Sequence, residues 1–97
     1  MAQSLARILV HVIFSTKQRR PMITDDVRAE LNSYIAGALR NLGSPALIVE
    51  SVEDHLHAMF SLSRNYSISK VIEEIKKESS KWMKTKGPAF ETFYWQN

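Results

Sequence analysis

The chain contains no cysteine, which excludes a disulfide framework, a thiolate zinc site and cysteine catalysis. Its three glycines and three prolines are scattered, and no glycine-rich phosphate loop, G-x-S-x-G elbow or H-E-x-x-H pair occurs, so the enzyme classes those motifs mark are set aside. No apolar run approaches the length of a membrane span. Met1 to Ile8 lacks the long apolar centre of a signal peptide. Together these absences lead to the expectation of a soluble, cytoplasmic protein with no membrane partner.

What is present suits one small domain. Ninety-seven residues lie near the lower end of what supports an independent hydrophobic core, so residues 1–97 are read as a single domain without repeats, linker or low-complexity stretch. A hydrophobic fraction of 44% is that of a globular protein rather than a disordered one. The net charge of +3 permits nucleic acid as a partner without requiring it. Lys17, Arg19 and Arg20 cluster in one segment, and Lys70, Lys76, Lys77, Lys81, Lys84 and Lys86 crowd another. Asp25, Asp26, Glu73, Glu74 and Glu78 are interspersed nearby, and charge alone favours a mixed, solvated surface.

The pattern predicts a β-α-β-β-α-β order. Arg7 to Ser15 (RILVHVIFS) is β-branched and aromatic, hence a strand, and the basic loop Thr16–Pro21 follows it. Thr24 is placed as the N-cap of a helix with Asp25 and Asp26 in its first turn. Val27, Leu31, Tyr34, Ile35, Ala38 and Leu42 give that helix one apolar face, and Gly43 stops it. Ala46 to Ser51 and His55 to Leu62 read as a hairpin of two strands. Ser67 caps a second helix with the stripe Ile68, Val71, Ile72, Ile75, Ser79, Trp82 and Met83, ended by Gly87-Pro88. Phe90 to Gln96 is expected as a fourth, aromatic strand. The fold class is therefore α+β and ferredoxin-like, an antiparallel sheet with both helices on one face. Such domains serve many functions, so function has to come from the uncovered face of the sheet.

His55 and His57 are the informative residues there. Two positions apart on a strand, they project from one face while Leu56, Ala58 and Phe60 point to the helices. Two adjacent neutral imidazoles supply half of a small divalent-metal shell, or else they are surface histidines. His11, on the neighbouring strand, is either a third polar group on that face or an ordinary hydrogen-bonded histidine, the latter being preferred. Asp54, taken as adjacent to His55 on the strand, is expected to project oppositely and not to partner it. Lys17, Arg19 and Arg20 either bind phosphates or form a solvated loop, and the second helix's lysines suit a nucleic-acid backbone. Phe93, Tyr94 and Trp95 either stack on bases or pack in the core, the core being favoured. Tyr34 and Tyr66 have no base nearby in sequence to mark a nucleophile.

At these residues the chain resembles the single-tyrosine HUH transposases, of which the REP-associated tyrosine transposases are a related branch. His11–Ile23 (HVIFSTKQRRPMI) is similar to the family's first strand and loop. Glu53–Leu62 (EDHLHAMFSL) carries the histidine–hydrophobe–histidine motif, Ser67–Trp82 (SISKVIEEIKKESSKW) matches the second helix, and Phe93–Gln96 (FYWQ) the fourth strand. The resemblance implies a DNA transposase that cleaves single-stranded DNA and transfers the strand through a 5′-phosphotyrosine. It implies Mg²⁺ or Mn²⁺ held by His55 and His57, a homodimer, and DNA hairpins as partners. Lys17, Arg19, Arg20, Lys70 and Lys77 are the expected backbone contacts. It also implies a nucleophilic tyrosine on a further helix beyond Asn97, so that residues 1–97 contain no catalytic residue and form a C-terminally truncated domain. Whether such a chain is itself an enzyme stays open at this point, and the alternative is a non-catalytic hairpin DNA- or RNA-binding module on the same fold.

Overall fold

The computed structural model describes residues 7–97. Residues 1–6, most of the Met1–Ile8 stretch discussed above, lie outside the described residues. Strand β1 spans Leu9–Ser15, helix α1 Asp25–Asn41, strand β2 Ala46–Ser51, strand β3 His55–Ser61 and helix α2 Ile68–Lys84. The three strands form an antiparallel sheet in the order β1-β3-β2. Both helices pack on one face of it, giving the expected α+β, ferredoxin-like layering.

Alternation decides which residues meet the helices. Leu56, Ala58 and Phe60 of β3 and Val10 and Phe14 of β1 are buried, with Val12 packed against them. They join Val27, Leu31, Ile35 and Leu39 of α1 and Val71, Ile75 and Met83 of α2 in one core. Burying a large aliphatic or Phe side chain contributes roughly 1.5–3 kcal/mol, so this single layer of contacts dominates the stability of so short a chain. The stripe of α2 differs from expectation at its first member, because Ile68 is 42% exposed. It is the first residue of the helix.

The helix ends explain the connections. Gly43 takes φ 68°; its N–H donates to Arg40 O, and Ser44 N–H donates to Leu39 O, both at 2.9 Å. These two bonds satisfy the last carbonyls of α1 in a Schellman turn. The Ser67 hydroxyl accepts from Lys70 N–H at 3.1 Å and caps α2 as predicted. Thr24 occupies the N-cap position of α1, but its hydroxyl bonds the Asp26 carboxylate rather than a backbone N–H.

The fourth strand is the main correction. Instead of a strand over Phe90–Gln96, the chain makes a short 3-10 turn at Pro88–Phe90 and then touches β1 through a single antiparallel bridge, Thr16 to Trp95. Lys17 N–H donates to Tyr94 O at 2.9 Å, and Gln96 N–H to Ser15 O at 2.8 Å. The ladder goes no further because the chain after Thr16 closes into a 3-10 turn at Lys17–Arg19, where Lys17 O accepts from Arg20 N–H at 3.4 Å; Phe93 O receives the Lys84 ammonium at 2.6 Å and the Ser80 hydroxyl at 3.2 Å. Gly87, at φ 127°, and the Phe93 N–H to Phe90 O turn bend the segment inward. Phe90, Phe93 and Trp95 are thereby buried. Trp95 meets Phe14 and Phe93 edge to face, and its indole N–H donates to the buried Ser79 hydroxyl at 2.9 Å.

Candidate functional site

The face of the sheet away from the helices carries the histidines. The alternation of β3 leaves His55, His57 and Met59 on that side, each half-buried. In register, Ile13 of β1 and Glu50 of β2 both stand opposite His57, and Ser15 stands opposite His55. The pairing brings Glu50 Oε1 to 3.9 Å from His57 Nε2. It also brings His11 Nε2 to 3.3 Å from His57 Nδ1, close enough for one ring to donate to the other. His11 is thus both a third polar group on the open face and a hydrogen-bonded histidine, with His57 as its partner. Glu50 was not legible as a neighbour until the hairpin register set it across from His57.

Asp54 behaves differently from expectation. It lies in the bend before β3 rather than on the strand, so alternation does not govern it, and its Oδ1 accepts from His55 Nδ1 at 2.9 Å. That bond holds the Asp54 carboxyl below its ordinary pKa of 3.8, and the nearby Arg19 adds to the effect against a burial cost. A carboxylate on Nδ1 fixes the imidazole's tautomer and leaves Nε2 free to coordinate. This arrangement fits a metal-binding histidine. The donor set amounts to two imidazoles with Glu50 nearby; among the described residues no group of three or more His, Cys, Asp or Glu is arranged to hold an ion.

The basic loop sits next to this motif. Thr16, fully buried, ties the two together: its N–H donates to Asp54 O at 2.9 Å and its hydroxyl to Arg20 O at 2.7 Å. Gln18 and Arg19 adopt positive φ, 58° and 54°, a conformation uncommon outside glycine and often found where a loop is held for function. Lys17, Arg19 and Arg20 are all exposed, and the Arg19 guanidinium reaches the Asp54 carboxylate at 3.4 Å. Arg19 and His55 thus share one aspartate.

The two helix lysines singled out from sequence are less available. Lys70 pairs with Glu73 at 3.3 Å and Glu74 at 3.6 Å, and Lys77 pairs with Glu74 at 3.1 Å. They lie on α2, the layer on the far side of the sheet from the histidines, so the structure does not bring them to the imidazoles. The aromatic segment splits by alternation. Phe93 and Trp95 are core, as favoured, whereas Tyr94 is exposed. Tyr34 stacks on Trp82 between the helices, with ring centroids 5.1 Å apart. No tyrosine hydroxyl among the described residues has a hydrogen bond to His55 or His57.

Paired imidazoles on the open face of a helix-backed antiparallel sheet, with a cationic loop alongside, define the class of site. A family model described as "Transposase IS200 like" matches residues 4–97, and the chain belongs to that transposase family. Its fold matches the crystal structure of a Deinococcus radiodurans R1 protein provisionally described as a transposase. That match has a TM-score of 0.85 at 19% identity and covers 99% of this chain and 78% of the other. No curated protein sequence matches the chain. Family membership makes DNA transposition the activity to explain and DNA the substrate class. No helix among the described residues is long and apolar enough to cross a membrane.

Proposed function

We propose that this domain is the metal-binding and DNA-binding part of a single-strand DNA transposase. Its substrate is single-stranded DNA folded into hairpins, and it acts as a homodimer, as the resemblance to the single-tyrosine HUH transposases implies. The observation that carries the proposal is the geometry at β3: two imidazoles on one open face, one of them oriented by Asp54 at 2.9 Å, beside a loop of exposed cations.

His55 and His57 are the residues that would hold Mg²⁺ or Mn²⁺, which when bound supplies Lewis-acid polarisation of the scissile phosphate. Asp54 keeps the His55 ring in the coordinating tautomer. Lys17, Arg19 and Arg20 bind and orient the strand by its phosphates, Arg19 from its place against Asp54. Lys70 and Lys77 contribute from α2 more weakly, since each already faces a glutamate. The attacking tyrosine, whose oxygen bonds the phosphorus as the 3′-oxygen leaves, comes from outside the described residues. A non-catalytic hairpin DNA- or RNA-binding module is the second reading, favoured by the exposed cations of the Lys17–Arg20 loop, which suit phosphates with or without a metal.

The test is to incubate the 97-residue chain with labelled hairpin DNA in Mn²⁺ and in chelator. The proposal expects binding strengthened by the metal, loss of that gain in the His55→Ala, His57→Ala double variant, and no cleavage by this chain alone. Tight, steeply salt-dependent binding that ignores both chelator and the double variant establishes the binding-module reading instead. A covalent DNA–protein adduct abolished by His57→Ala contradicts an external nucleophile.

A further inference from the structure

The segment beside β1 turns one aromatic ring outward. Phe93 and Trp95 are buried, and between them Tyr94 is 53% exposed. Its backbone is fixed, since Tyr94 O accepts from Lys17 N–H and Gln96 Oε1 accepts from Gln18 N–H at 3.0 Å. The ring therefore stands on a rigid mount at the outer edge of the sheet, on the opposite side of β1 from β3.

Two shallow clefts meet at this ring. One, of about 260 Å³, is lined by Lys17 and Arg20 along with Tyr94. The other, of about 330 Å³, is lined by Lys76, Lys77, Lys81 and Lys84 along with Tyr94. No aspartate or glutamate side chain lines either cleft. The cations divide by what they already do. Lys76 and Lys84 hold the fold, donating to Gln96 O at 2.8 Å and to Phe93 O at 2.6 Å, and the Lys84 ammonium also sits 3.8 Å from the Tyr94 ring centroid. Lys77 faces Glu74. Among the described residues, Lys17, Arg20 and Lys81 have no carboxylate at ion-pair distance.

We propose that Tyr94, flanked by Lys17 and Arg20 on one side and Lys81 on the other, is a binding track for single-stranded DNA. An unstacked base lies on the Tyr94 ring, and the phosphates before and after it are neutralised by the unpaired cations. An exposed, rigidly mounted ring between cationic clefts recognises a single strand rather than a duplex, because only an unpaired base offers its face for stacking. Stacking on a ring is tolerant of sequence, so the track grips the strand without specifying it. The proposal rests on the DNA-binding part of the function above and makes no use of the histidines or a metal. The loop Lys17–Arg20 borders both sites, since Lys17 and Arg20 line the cleft at Tyr94 and Arg19 meets Asp54, the partner of His55.

The experiment is equilibrium binding of the 97-residue chain to a labelled oligothymidylate in chelator, with salt varied. Tyr94→Ala is expected to weaken binding about tenfold, and Tyr94→Phe to stay within about twofold of the parent. Lys81→Ala is expected to lower the slope of log affinity against log salt by about 0.7. Photocrosslinking of an iodouracil oligonucleotide to the unsubstituted chain, read by mass spectrometry, is expected at Tyr94 and needs no variant to fold. Full affinity in Tyr94→Ala, equal losses in Tyr94→Ala and Tyr94→Phe, or crosslinks confined to the histidine face would each overturn the proposal. Binding that tracks Tyr94 but never responds to metal removes the metal-site reading and leaves the track standing. A parent chain that binds no single-stranded DNA removes both.

Discussion

Asp54 accepts a hydrogen bond from His55 at 2.9 Å although the two residues are sequence neighbours. It does so because the bend before β3 frees Asp54 from the alternation that governs the strand. The same carboxylate meets Arg19 at 3.4 Å, so one residue orients an imidazole and anchors the cationic loop. A change at Asp54 should therefore be felt at the proposed metal site and in the loop together.

Asp54→Ala is expected to weaken Mn²⁺ binding about 10- to 100-fold, the usual consequence of removing a carboxylate behind a metal-binding histidine. The fold should persist, because Asp54 lies in the bend before β3 and outside the hydrophobic core. Calorimetric titration of Mn²⁺ into parent and variant checks this, and equal affinities would remove Asp54 from the site.

The pH dependence of stability follows from two carboxylates. Asp54 and Glu74 both titrate below their ordinary values of 3.8 and 4.5, chiefly through hydrogen bonds from His55 and Lys77 respectively. A carboxyl group whose pKa is lower folded than unfolded stabilises the fold above the unfolded value, and that contribution is lost as pH falls through the folded value. The unfolding temperature is thus expected to drop as pH falls below about 4.5. The drop should be smaller in Glu74→Gln and in Asp54→Asn, as thermal melts at stepped pH will report.

The loop and the helix lysines should separate in DNA binding. Arg20→Ala removes an unpaired cation and is expected to weaken hairpin binding uniformly across sequences, lowering the salt slope by about one. Lys70→Ala removes a cation already shared by Glu73 and Glu74 and is expected to change affinity less. Salt-dependent fluorescence anisotropy on both variants distinguishes them.

Ser79→Ala tests the docking of the C-terminal segment. The Ser79 hydroxyl is the acceptor for the buried Trp95 indole N–H, and leaving that donor unsatisfied costs about 1–3 kcal/mol. Chemical denaturation followed by tryptophan fluorescence is the measurement. An unchanged midpoint would mean that the indole finds another partner.

Much of this architecture was legible in the sequence because it depends on period and punctuation. The i, i+2 spacing put His55 and His57 on one face and Leu56, Ala58 and Phe60 on the other, as found. Gly43 and Ser67 marked helix ends through backbone conformation and side-chain capping, both local properties. What escaped was set by loop geometry, strand register and side-chain pairing that the residue pattern does not carry. The fourth strand shrank to one bridge because the chain after Thr16 closes into a 3-10 turn at Lys17–Arg19. Glu50 joined His57 only through the hairpin register, and Lys70 and Lys77 were drawn to Glu73 and Glu74 on their own helix.

The central claim is that the β3 imidazoles bind a divalent ion, and the most direct measurement is Mn²⁺ binding followed by electron paramagnetic resonance. Free Mn²⁺ signal should fall on adding the parent chain and hairpin DNA, and it should be restored in the His55→Ala, His57→Ala double variant. Equal quenching by the parent and the double variant would contradict the claim.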